Sequence, residues 1–215
     1  MQRTIRPFVN KSLEITNTIV STFEDQLGLP KGEIAKRHKL YEKSGSEARS
    51  IKSSAKSQEL AGSKSKTEDK PSLGSHTDFG SLTFLHNRLG GLQVLPPGYD
   101  TWQNIRPIPE YAICNIGDTL TIFSGGILRS NMHRVVYPPG QQAFYDRWSV
   151  VFFLRPAFHE PLYPLTESRM VAEVIGRMSD EEKLRFYPNA TAGEWYQRRV
   201  KTQRVDHMTV CFSGS

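Results

Sequence analysis

Two histidines and one aspartate constrain the folding of this chain more than any other feature. His76, Thr77 and Asp78 open the run His76-Thr77-Asp78-Phe79-Gly80-Ser81-Leu82-Thr83, and His133, in Ser130-Asn131-Met132-His133-Arg134-Val135, follows Asp78 by 55 residues. On a β-strand successive side chains point to opposite faces, so His76 and Asp78 project together while Thr77 points away. One strand therefore supplies two of the groups, and another must bring His133 beside them. Two imidazoles and a carboxylate cover one face of an octahedron and leave the other positions open, a donor set suited to a reactive ferrous ion.

Arg147 lies fourteen residues beyond His133, in Asp146-Arg147-Trp148-Ser149, and again two polar groups stand at i and i+2. A guanidinium forks onto a carboxylate in a bidentate, charge-assisted contact, and a neighbouring serine hydroxyl adds a further hydrogen bond. The pair reads as a socket for one end of a small dicarboxylate. The alternative is that Arg147 pairs with a structural carboxylate such as Asp146 or Asp118.

His76-Thr77-Asp78, His133 and Arg147-Trp148-Ser149 resemble the motifs of the 2-oxoglutarate and Fe(II)-dependent dioxygenases. The narrower resemblance is to the branch related to isopenicillin N synthase and to flavonoid and gibberellin oxygenases, especially its fungal members. Leu89-Gly90-Gly91-Leu92-Gln93-Val94, Asn115-Ile116-Gly117-Asp118 and Ser124-Gly125-Gly126 fall in the family's order, and Glu194-Trp195-Tyr196-Gln197-Arg198-Arg199 resembles the closing helix of the fungal relatives.

The resemblance implies a mainly β fold, a double-stranded β-helix or jelly roll with α-helices flanking it at both ends. It implies Fe(II) on His76, Asp78 and His133, and 2-oxoglutarate anchored by Arg147 and Ser149. The partners are O₂ and a small-molecule substrate, with specialised metabolism as the expected setting. The implied reaction couples oxidative decarboxylation of 2-oxoglutarate to succinate with hydroxylation or desaturation of that substrate. No catalytic residue beyond the metal ligands is expected.

Two other readings stay open: an iron oxidase that draws electrons from substrate or ascorbate instead of 2-oxoglutarate, and a truncated, non-catalytic ligand-binding relative. The second is motivated by a chain that begins well inside the family's usual length. Many plant relatives also carry an Arg-x-Asn-Tyr-Tyr strand before the metal motif, where this chain reads Arg49-Ser50-Ile51-Lys52-Ser53. The co-substrate contacts of that strand are expected to be missing or replaced.

At 215 residues the chain is long enough for one sizeable core. The expected organisation is N-terminal helices and a Lys/Ser-rich loop over 1–72, the jelly roll over 73–156 and a helical segment over 157–215, forming one structural domain. The net charge of +6 is concentrated between Lys31 and Lys70, in stretches such as Lys52-Ser53-Ser54-Ala55-Lys56, which read as a solvated loop. No aromatic and basic stripe suggests nucleic-acid binding. Cys114 and Cys211 form no Cys-x-x-Cys pair. The first residues lack a secretory apolar core, and the run Val150 to Leu154 is too short to cross a bilayer, so a cytoplasmic, reducing location is the expectation.

Ile5, Phe8, Val9, Leu13, Ile19, Val20 and Phe23 recur at helical spacing, and Gly28 and Pro30 end that helix. A shorter helix is expected around Lys31 to Leu40. From Leu73 to Pro156, short strands alternate with glycine and proline turns. In Arg147 to Leu154, Arg147, Ser149, Val151 and Phe153 share one face and Trp148, Val150, Phe152 and Leu154 the other. Both faces are largely apolar, so the outer one should be covered by helices. His38, His86, His159 and His207 read as surface or satisfied core residues. Asn115 and Asp118 are expected to order a turn, and Phe79, Phe84, Leu92, Val94, Ile122 and Phe153 to belong to the core or the pocket wall.

Overall fold

The N-terminal periodicity is realised as α1 (Gln2–Leu27) in the computed structural model, which describes residues 2–56 and 73–201. Ser12, Thr16, Val20, Glu24 and Leu27 are its buried stripe. Phe8, Val9, Leu13, Ile19 and Phe23 flank that stripe and pack on the core, whereas Ile5 is exposed. Gly28 ends the helix at φ +67°, and the N–H of Leu29 reaches back to the carbonyl of Glu24 at 2.9 Å, a left-handed cap that glycine accommodates without steric cost.

The helix expected around Lys31 to Leu40 is only a 3₁₀ turn, Ala35–Arg37. Glu24 is the reason. Its buried carboxylate accepts from the N–H groups of Gly32 (2.8 Å), Ile34 (2.7 Å) and Ala35 (2.8 Å), and Gly32 sits at φ +82°. These amides are satisfied by the preceding helix, so a longer α-helix gains little by forming. The basic stretch that reads as loop also contains a strand, β1 (Glu47–Ser53). The part of that stretch from 57 to 70 lies outside the described residues.

Seven more strands follow: β2 (Leu73–His76), β3 (Leu82–Asn87), β4 (Leu92–Leu95), β5 (Gln103–Ile105), β6 (Ile113–Ile116), β7 (Met132–Val135) and β8 (Arg147–Leu154). They form two antiparallel four-stranded sheets, ordered β1-β8-β3-β6 and β2-β7-β4-β5. Two facing sheets of this kind, with long connections between successive neighbours, are the double-stranded β-helix. A short helix, α2 (Asp118–Phe123), lies between β6 and β7; α3 (Arg169–Gly176), α4 (Asp180–Lys183) and a final helix, α5 (192–201), follow the sheets. Helices thus flank a mainly β core at both ends.

The main hydrophobic cluster lies between the outer face of the first sheet and the helices, and includes Val20, Leu27, Leu82, Phe84, Leu120, Phe123, Phe152 and Leu154. The β8 faces alternate as the sequence pattern predicts, but coverage of the outer face is incomplete. Phe152 and Leu154 are buried, while Trp148 is 56% and Val150 38% exposed. Helical cover therefore spans only the C-terminal half of this strand. Cys114 is a free thiol, and Cys211 and His207 lie outside the described residues. Among the described residues no helix is long and apolar enough to cross a membrane.

Candidate metal centre

β2 and β7 run antiparallel with His76 directly opposite His133, so the pleat places both imidazoles on one face. Their ring centroids are 4.3 Å apart. β2 ends at His76, and Asp78 therefore stands in the loop beyond it rather than on the strand as the i, i+2 pattern predicts. The loop still turns its carboxylate inward, where Oδ1 lies 3.9 Å from His76 Nε2 and 3.8 Å from His133 Nε2. One donor atom from each of the three residues falls within 4.8 Å of the others, close enough for a single ion to bridge after small side-chain rotations.

Hydrogen bonds fix which atom each residue offers. His76 Nδ1 lies 2.8 Å from the carbonyl of Gly74, and His133 Nδ1 lies 3.1 Å from that of Asn131. A carbonyl only accepts, so both Nδ1 atoms carry the proton and both Nε2 atoms present a lone pair toward Asp78. Burial, and then the neighbouring His133, hold the His76 pKa below the ordinary histidine value, which favours the neutral form a metal requires. Asn115 Nδ2 donates to Asp78 Oδ2 at 2.9 Å and leaves Oδ1 free. Asn115 thus supports the carboxylate from β6 instead of ordering a turn. The signal for this in the sequence is a carboxamide set inside a strand between Cys114 and Ile116.

Asp118 does order the turn into α2, and its side chain does more. It accepts from Thr77 Oγ1 (3.0 Å) and Ser130 Oγ (2.7 Å), and pairs with Arg199 (3.0 Å). At the same turn Gly117 approaches the loop so closely that a Cβ would lie 2.2 Å from the carbonyl oxygen of Gly80. This contact, with the Asp118 N–H donating to the Asp78 carbonyl at 2.7 Å, fixes the loop after β2.

Arg147 and Ser149 are 4% and 3% exposed on the inner face of β8. Arg147 Nε donates to the carbonyl of Gly90 at 2.9 Å and Nη1 to Ser149 Oγ at 2.6 Å, while its buried Nη2 has no hydrogen-bond partner among the described residues. Neither carboxylate considered as a structural partner approaches it: Asp146 pairs with Lys52 at 2.7 Å and Asp118 with Arg199. Burial without an anion holds the Arg147 pKa below its ordinary value. A buried guanidinium with one unpartnered edge is the counterpart of an incoming carboxylate. β1 runs alongside with Ile51 opposite Ser149 and Ser53 opposite Arg147, so an aliphatic and a hydroxyl side chain occupy that rim.

The other histidines among the described residues stand apart from this centre. His38 is buried, with Nδ1 2.8 Å from the carbonyl of Ile34 and Nε2 2.7 Å from Ser81 Oγ. His86 stacks edge-on to Phe8 and Phe84, and His159 is 67% exposed beside Glu42 and Glu160. Of the apolar candidates, Phe84, Leu92 and Ile122 are buried, and Phe79 lies under the guanidinium of Arg155.

The chain resembles known proteins in sequence and in fold. The sequence model described as the 2OG-Fe(II) oxygenase superfamily matches residues 58–156. A 2-oxoglutarate-dependent dioxygenase of Aspergillus fumigatus is 30% identical over 211 residues, covering 90% of this chain and 51% of the relative. Another, from Gibberella zeae, is 41% identical over 133 residues, covering 62% of this chain and 34% of the relative. The crystal structure of a full-length Neurospora crassa protein in complex with alpha-KG superimposes with a TM-score of 0.74 at 22% identity, covering 92% of this chain and 60% of that one. The chain thus spans about half the length of the first of these relatives, and the structural likeness bears on the fold. The matched segment contains His76, Asp78, His133, Arg147 and Ser149, and across it the chain is similar to the 2OG-Fe(II) oxygenase superfamily.

Proposed function

We propose that this chain carries the catalytic core of an Fe(II)- and 2-oxoglutarate-dependent dioxygenase that hydroxylates or desaturates a small organic molecule. The donor set fits the metal: two neutral imidazole Nε2 atoms and one free carboxylate oxygen converge, each fixed by a hydrogen bond on its far side. In this reading His76, Asp78 and His133 hold Fe(II), and Arg147 and Ser149 hold the far carboxylate of 2-oxoglutarate. When bound, the iron and the keto acid supply the activation of O₂, the keto acid being decarboxylated to succinate and CO₂.

The protein's own contribution is placement. Arg147 Nη2 offers the charged donor, and Ser149, already accepting from Nη1, keeps its hydroxyl proton for the same carboxylate. Val151, two residues along the same face of β8 and 5% exposed, helps exclude water from that end. The relatives' printed names support the co-substrate, and the fungal sources of several support a role in specialised metabolism. A reducing cytoplasm that keeps iron ferrous suits the same reading.

The observation that carries the proposal is the buried Nη2 edge of Arg147, unpartnered among the described residues, in a sandwich that also holds an open two-histidine, one-carboxylate set. Anaerobic addition of Fe(II) and then 2-oxoglutarate should produce a metal-to-ligand charge-transfer band, absent in His133→Ala and Arg147→Ala variants. Succinate formation that persists when both His76 and Asp78 are replaced by alanine would overturn the proposal.

A further inference from the structure

The loop carrying Asp78 is held from behind by α5, at the residue on each side of the aspartate. Arg199 Nη2 lies 3.0 Å from Thr77 Oγ1 and 3.3 Å from the Thr77 carbonyl oxygen. Trp195, four residues earlier and so on the same face of the helix, donates Nε1 to the carbonyl of Phe79 at 3.3 Å. The Arg199 guanidinium also lies near the Phe79 and Trp195 rings, 6.0 and 5.7 Å from their centroids.

Asp118 extends this clamp to the other histidine. One of its oxygens takes Thr77 Oγ1 and Arg199; the other takes Ser130 Oγ, next to Asn131, whose carbonyl orients His133. A single carboxylate therefore joins the loops that place all three candidate ligands, and Arg199 supplies its counter-charge. Removing the guanidinium leaves that carboxylate unbalanced beside Asp78 and frees Thr77, the residue between two ligands.

We propose that Arg199 is a positioning residue for the metal centre, acting through Thr77 and Asp118 to set the geometry of His76, Asp78 and His133. The inference rests on the metal reading given above. It makes the last helix part of the metal site's support.

Anaerobic Co(II) titration followed by ligand-field absorption provides the test, because it reports donor geometry without turnover. Arg199→Ala should weaken Co(II) binding about tenfold, the range for loss of an outer-sphere partner, and change the band shape. Arg199→Lys, which keeps the charge, should recover most of the affinity, whereas Arg199→Met, which keeps a packing stem without the charge, should not. The exposed Arg169→Ala variant serves as the unaffected control. Wild-type affinity and spectrum in Arg199→Ala would overturn the inference. If that variant fails to fold, Thr77→Val, which keeps the side-chain shape and removes the hydroxyl, carries the same expectation and the same contrary outcome. Failure of the unmodified chain to bind Co(II) would instead overturn the metal reading, and this inference with it.

Discussion

His76 and His133 are direct cross-strand partners whose Nδ1 atoms are both turned to backbone carbonyls two residues upstream, Gly74 and Asn131. The two rings are thereby locked in one tautomer before any ligand arrives. A divalent ion present at a hundred times its dissociation constant should stabilise the fold by about 2.7 kcal/mol. His133→Ala should abolish that increment, read as the metal-dependent rise in Tm. A rise of equal size in the variant would place the ion elsewhere.

Arg147 and Ser149 should contribute unequally to co-substrate binding. Loss of one member of a buried charged pair costs about 2–5 kcal/mol, so Arg147→Ala should weaken 2-oxoglutarate by two orders of magnitude or so. Ser149→Ala removes one hydrogen bond, worth about 1–1.5 kcal/mol, and should cost roughly tenfold. Calorimetric titration on the metal-loaded protein separates the two. Because the guanidinium is buried with no anion beside it among the described residues, Arg147→Met should leave the ligand-free protein at least as resistant to urea as the unmodified chain; marked destabilisation would mean that its bonds to Gly90 and Ser149 outweigh the cost of burying the charge.

Asn115 is the group on which Asp78 leans. Asn115→Leu keeps the size and removes the donor, so metal affinity should fall by about tenfold with the far-ultraviolet circular dichroism unchanged. Undiminished affinity would show that Asp78 is oriented by backbone contacts alone.

His38 should make stability depend on pH. Burial pushes its pKa down to about 4, against an ordinary value near 6.5. Between those values the unfolded chain binds a proton that the folded chain refuses. Stability is therefore complete above about pH 6.5 and declines as pH falls toward 4, by about 3 kcal/mol in all. Urea midpoints at pH 7.5 and 5.0 should differ less in His38→Gln than in the unmodified chain. An equal difference in the two proteins would assign the effect to other groups.

The features legible in the sequence depend on short-range periodicity. Two-residue alternation brings out the Arg147/Ser149 face, and the spacing of Phe8, Leu13, Val20 and Phe23 gives α1. The features that escape it arise from contacts between distant segments. Glu24 takes the amides of Gly32, Ile34 and Ala35 and cuts short the helix expected there. Arg199 reaches Thr77 across 122 residues, with no pattern in either neighbourhood to announce it. The exposure of Trp148 has a similar origin, since strand alternation defines two faces but not how far a helix extends over one of them.

The bond from Arg147 Nε to the carbonyl of Gly90 has one more consequence. With Nε and Nη1 both committed, the guanidinium cannot swing to meet its guest. It belongs to one sheet, whereas the two histidines belong to the other. In the proposed function a chelating acid therefore bridges two fixed banks, and its carbon-chain length decides whether it is held at both. Shorter or longer homologues of the diacid reach one bank or the other, but not both in register.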